Sequence, residues 1–170
     1  MRSPCAALAL TALLALAGCG GSSSKPATTT AATTTPEQSV PLHASQLRRV
    51  DRGTQGVLSA TPLFQSALNA CVTKKHRSGC VRRAARPAEA AVARARKTLT
   101  SYEPKARGAC QSALSSQSET LATLTDDLRS MTQATLQGSF TVTTRLGASV
   151  TTDLRSFAQA GQGVAQVCAA

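Results

Sequence analysis

The sequence has no tryptophan, one tyrosine and three phenylalanines in 170 residues. Aromatic platforms for base stacking are therefore missing, and nucleic acid is not the expected partner. Only two histidines occur. His43 borders a low-complexity stretch where nothing rigid holds it, and His76 sits among lysines and arginines, which disfavour a general-base role. The acidic residues are few, 8 against 19 basic ones, giving a net charge of +11. Two of them, Asp126 and Asp127, are adjacent, but neighbours on a helix diverge by about 100° and cannot face one site together. Glycine-rich phosphate loops, metalloprotease helices and Cys-x-x-Cys pairs are lacking. These absences point away from catalysis and away from a metal or other cofactor. Met131 could in principle ligate haem, but on an apolar face it reads as core filling. No apolar run reaches the roughly 20 residues that a membrane-spanning helix needs.

The chain has room for one domain, and its hydrophobic fraction is largely alanine. Alanine buries little area, so such a core needs long helices or covalent staples. Arg2 followed by the apolar stretch Ala6 to Ala17, broken only by Thr11, has the layout of an export signal. It ends in Leu16-Ala17-Gly18-Cys19. This stretch resembles the bacterial lipobox, and the resemblance covers residues 1–19. It implies a signal peptide over residues 1–18, cleavage before Cys19, and a diacylglycerol with acyl chains such as palmitate on the Cys19 thiol. The chain would then be lipid-anchored on the outer side of the cell membrane. Two acyl chains meet the requirement for stable anchoring, which one chain alone does not. Gly20 follows the cysteine, so no aspartate marks a retention signal there.

From Gly20 to Pro41 the chain is glycine, serine, threonine, alanine and proline with scarcely a larger apolar side chain. It cannot bury enough surface to offset the entropy of ordering and is expected to be a disordered tether. As a coil it would span about 25 Å. Its threonine clusters, residues 28–30 and 33–35, have the composition of glycosylated stalks; an unmodified spacer is the plainer reading.

From Leu42 onward, apolar and small residues recur at steps of three and four. Leu47, Val50, Thr54, Val57, Thr61, Phe64, Leu68 and Cys71 form a first stripe. Val81, Ala85, Ala88, Val92, Ala95, Leu99 and Tyr102 form a second. Cys110, Leu114, Gln117, Leu121, Leu124, Leu128 and Met131 form a third. Gly147, Val150, Leu154, Phe157, Gly161, Val164 and Cys168 form a fourth, led in by Phe140 and Thr143. This spacing belongs to helices packed at a shallow angle. Ser78-Gly79, Glu103-Pro104 and Gln137-Gly138-Ser139 separate the stripes. Pro104 reads as an early residue of the third helix, and Pro62 and Pro87 predict a kink or a fresh start. The expectation is an all-α, antiparallel four-helix bundle over residues 42–170. The small residues Ala85, Ala88, Ala95, Gly147 and Gly161 mark either close helix approach, the favoured reading, or a cavity for a ligand.

Of six cysteines, Cys5 belongs to the leader and Cys19 to the lipid, leaving Cys71, Cys80, Cys110 and Cys168. An even number in an exported chain implies two disulfides. In the bundle, Cys71 and Cys80 share one end and Cys110 and Cys168 the other, more than about 30 Å away. Bridges reach only a few ångströms, so the predicted pairs are Cys71–Cys80 and Cys110–Cys168.

The positive charge is concentrated. Residues 74–107 hold eleven cations against Glu89 and Glu103. Among them, Lys74, Lys75, Arg77, Arg82, Arg83, Arg86, Arg94, Arg96 and Lys97 are candidates for binding an anionic surface: lipid headgroups, an anionic wall polymer or an acidic envelope protein. A solvated helix face is the alternative. The functional expectation is a non-catalytic envelope interaction module anchored to the membrane; a small-ligand carrier using the bundle interior is the alternative.

Overall fold

The computed structural model describes residues 40–169. The expected signal peptide, Cys19 and most of the expected tether fall in residues 1–39, outside the described residues. Four helices follow in order: α1 (Ala44–Cys71), α2 (Arg77–Tyr102), α3 (Gly108–Gln137) and α4 (Phe140–Val167). Each packs antiparallel to its chain neighbour, and α4 closes the ring against α1, giving the expected antiparallel four-helix bundle with two disulfides. Among the described residues there is no strand, only an isolated bridge between Val40 and Arg107. None of these helices is long and apolar enough to cross a membrane.

The stripes are the core. Val57, Leu68, Leu114, Leu124, Val150 and Phe157 are fully enclosed. Threonines occupy core positions because each hydroxyl has an acceptor one turn back. Thr54 donates to Val50 O at 3.0 Å, Thr61 to Val57 O at 2.9 Å and Thr135 to Met131 O at 2.8 Å. A buried threonine so satisfied packs much like valine. The disulfides close the two ends, Cys71–Cys80 with Cα atoms 5.6 Å apart and Cys110–Cys168 with 4.8 Å. Such bridges are compatible with an extracytoplasmic location.

Several local expectations are corrected. Pro62 and Pro87 lie within unbroken helices, so neither marks a fresh start. Both are exposed, on the solvent side of their helices. Ser78 and Gly79 do not separate helices; α2 already begins at Arg77, and Cys80 N–H bonds His76 O at 3.4 Å. Pro104 belongs to a 3-10 turn, Glu103–Lys105, ahead of α3 rather than inside it. Phe140 does not lead into the core: it is 60% exposed, while Thr143 is buried. Leu47, Leu154, Gly147 and Gly161 are only half-buried.

The α3–α4 turn has a specific cause. Gly138 adopts φ +76°, the left-handed region. Its N–H bonds Thr135 O at 3.0 Å and that of Ser139 bonds Ala134 O at 3.1 Å. This pair of bonds satisfies carbonyls that the end of α3 would otherwise leave open.

Candidate functional site

The buried side of α2 carries valine, alanine and leucine, and its outer side carries the arginines. Arg82, Arg83, Arg86, Arg94, Arg96 and Lys97 are exposed along that outer side, and Lys74 and Lys75 are exposed in the α1–α2 connection. Among the described residues the only ion pair is Arg129–Asp126 at 3.1 Å, so none of these eight cations has a carboxylate partner. Arg82 and Arg86 are four residues apart, and Arg83 and Arg86 three apart. Like charges at those spacings cost about 0.2–0.5 kcal/mol each on an isolated helix. The first turn of α2 also lacks an acidic residue to offset the positive end of its dipole. An anion lying on this face would relieve both costs.

Arg77, the ninth candidate, is placed differently. It is half-buried, with Nε donating to Val72 O at 3.0 Å and Nη1 to Leu136 O at 3.3 Å. Its guanidinium thus joins the carbonyl-rich C-terminal ends of α1 and α3, where a cation is favoured.

Beside this face, a groove of about 810 Å³ opens between α2 and α3. Phe64, Ala85, Ala88, Val92 and Leu128 supply apolar lining; Arg96, Lys97, Arg129 and Glu89 supply charge. The groove exists because alanines on α2 leave space where larger side chains would fill it. The small residues therefore divide between the two expected roles. A Cβ on Gly161 would lie 3.0 Å from both Gln117 Nε2 and Thr54 Cγ2, and one on Gly53 would lie 3.3 Å from Ala95 Cα. Gly161 and Ala95 thus mark close helix contacts. Gly147 makes only ordinary contact, its Cβ position being 3.8 Å from Met131 Cε. Ala85 and Ala88 line the groove. Its signal in the sequence was their position on the α2 stripe, but depth depends on what α3 sets opposite them.

Two polar groupings lie between helices. Gln117, fully buried, donates from Nε2 to Thr54 Oγ1 at 2.7 Å, and its Oε1 has no partner. Asp127 and Asp153 meet between α3 and α4, each with one carboxylate oxygen buried and unpartnered. Burial raises the Asp153 carboxyl above its ordinary range, helped by a hydrogen bond with Asp127 and by that residue's charge. Asp126 points elsewhere, to Arg129. The adjacent aspartates diverge as helix geometry requires, and the pairing across helices was not anticipated.

His43 and His76 are exposed at opposite ends of the bundle. Among the described residues no three potential metal ligands cluster, and Met131 is buried in the core. The chain matches no family model, no curated protein and no solved structure.

Proposed function

We propose that this chain is a non-catalytic, lipid-anchored module of the bacterial cell envelope, held by a diacylglycerol on Cys19 and presenting the outer side of α2 to an anionic surface. The observation that carries the reading is the set of exposed α2 cations without a carboxylate partner. The resemblance of residues 16–19 to the lipobox supplies the anchor, and two acyl chains make it stable. The two disulfides support an oxidising compartment.

Two measurements test this. Mass spectrometry of the mature N-terminus is expected to find Cys19 diacylated, and Cys19→Ser is expected to remove the protein from the membrane fraction. Association of the detergent-solubilised lipoprotein with polyphosphate beads is expected to fall steeply as salt rises, because the mode is electrostatic. Binding that ignores salt, or none at all, defeats the α2 reading.

The α2–α3 groove supports a second reading, a carrier for an apolar ligand with an anionic group. Its volume lies within the range usual for small-molecule sites. A naphthalene sulfonate dye is expected to bind there and to be lost in the double variant Arg96→Gln, Arg129→Gln. Equal binding to the variant removes this reading.

A further inference from the structure

The α1–α2 and α3–α4 connections share one end of the bundle, where Arg77 reaches from one to Leu136 beside the other. No aspartate or glutamate occurs in residues 58–88 or 128–152, roughly the half of the bundle at that end. Eight cations do. The same half exposes large apolar side chains: Leu63 is 71% exposed, Phe140 60%, Val142 41% and Leu136 38%. Phe140 opens α4 next to the Gly138 turn, and Val142 follows within its first turn.

We propose that this end is the surface that meets an anionic lipid bilayer, with Phe140 and Val142 entering the headgroup boundary and Lys74, Lys75, Arg82 and Arg83 contacting the headgroups. The proposal rests on the anionic-surface reading and names its partner. A phosphate polymer would attract the cations equally but offers nothing to an exposed phenylalanine. A second copy docked end to end would bring two carboxylate-free, cationic surfaces together. A bilayer answers both features, since apolar side chains partition into its interface while basic ones remain at its charged surface. The lipid anchor does not oppose this orientation. The chain joins α1 at the far end, where Leu42 N–H bonds Cys168 O at 3.1 Å. The segment from Cys19 to Val40 reaches at most about 70 Å, more than the roughly 42 Å length of the 28-residue α1. One membrane can therefore hold both the anchor and this end.

The absence of tryptophan makes the test direct. The full-length lipoprotein carrying Phe140→Trp is reconstituted into vesicles of phosphatidylglycerol and phosphatidylcholine, with and without brominated acyl chains. A Val167→Trp variant reports from the opposite end. The expected result is a blue-shifted emission from the indole at position 140, quenched about two-fold by bromine at the depth where interfacial side chains sit. That quenching is expected to disappear in vesicles of phosphatidylcholine alone and when Lys74, Lys75, Arg82 and Arg83 are changed to Gln; position 167 is expected to stay unquenched. Salt-sensitive bead binding with no quenching at position 140 overturns this proposal and leaves the α2 reading standing. Loss of bead binding and quenching together overturns both. Equal quenching in neutral vesicles removes the anionic requirement and overturns the proposal as stated.

Discussion

The half of the bundle where Cys110 meets Cys168 mixes charges of both signs; the half where Cys71 meets Cys80 carries charge of one sign. The first end and its half of the helices hold nine cations against seven carboxylates. Arg49 donates to the Tyr102 hydroxyl at 3.5 Å, Lys105 lies over the Tyr102 ring at 5.5 Å, and Arg107 bonds the carbonyls of Pro104 and Ala106. The other half holds eight cations and no carboxylate of its own; Arg77 is tied into the backbone of the helix ends, and Arg129 reaches Asp126 just outside that half at 3.1 Å. It also leaves Phe140 and Leu63 in solvent. One fold thus has an end of nearly balanced charge and an end of uncompensated positive charge. Stability is expected to reside mainly in the first and surface binding in the second.

The largest test of that division is the pair of disulfides. The Cys110–Cys168 bridge spans 58 residues and the Cys71–Cys80 bridge 9. Constraint of the unfolded chain makes the first worth about 4 kcal/mol and the second about 2.5 kcal/mol. Replacing Cys110 and Cys168 by serine is expected to lower Tm by roughly 12 °C, and replacing Cys71 and Cys80 by roughly 8 °C, in calorimetric scans. A reversed order would mean that the cationic end holds the bundle together after all.

Next in size come two glycines, one on each side of the comparison. Gly161→Ala sets a Cβ 3.0 Å from Gln117 Nε2 and Thr54 Cγ2, both on buried side chains with little room to give. Overpacking of this kind costs about 1–3 kcal/mol. Gly138→Ala meets a φ of +76° and Arg77 Nη1 at 2.7 Å. The long arginine can retreat, so the expected loss is the smaller one, about 1 kcal/mol for the strained backbone. Urea denaturation of both variants measures the difference. By contrast, Leu63→Gln and Phe140→Ser are expected to change stability by no more than about 0.5 kcal/mol, since neither side chain is packed. A larger loss at Phe140 would make it structural and weaken its assignment to a bilayer.

Much of this arrangement was legible in the sequence. Spacing of three and four residues picked out nearly every buried position, because a helix in a bundle buries one stripe whatever its partners are. The bundle's connectivity then selected the disulfides. The contacts between α3 and α4 were also within reach: counting inward from Cys110–Cys168, one residue forward for each residue back, sets Gln117 against Gly161, Met131 against Gly147 and Thr135 against Thr143. Asp127 and Asp153 are two residues off that register, near enough for their carboxyls to meet. What periodicity could not supply was separation between helices. Ala85 and Ala88 line a groove while Ala95 meets Gly53, and only the opposing side chains decide which. Nor could it show that Phe140, in phase with its stripe, lies beyond the last residue able to cover it. Pro62, Pro87 and Ser78-Gly79 were read too strongly as places where a helix starts afresh, because proline removes one helical hydrogen bond and glycine costs only about 1 kcal/mol of propensity, which packing of the buried stripe overrides.

The smallest expected effect lies where the two halves meet. Asp127 and Asp153 are among the first carboxylates below the cationic end, and they face each other rather than an arginine. Because burial and its neighbour raise the folded Asp153 carboxyl above its unfolded value, the folded chain holds that proton more tightly. Stability from this group is therefore fully present at acidic pH and is lost as pH rises from the unfolded carboxyl's range through the raised folded one. Asp153→Asn removes the charge that repels Asp127. It is expected to raise stability at pH 7 by no more than about 0.5 kcal/mol, since the site is partly solvated, and to flatten the dependence on pH in the acidic range. If Asp153→Asn instead weakens the bundle at neutral pH, the Asp153 carboxylate makes a stabilising contact that outweighs its repulsion by Asp127.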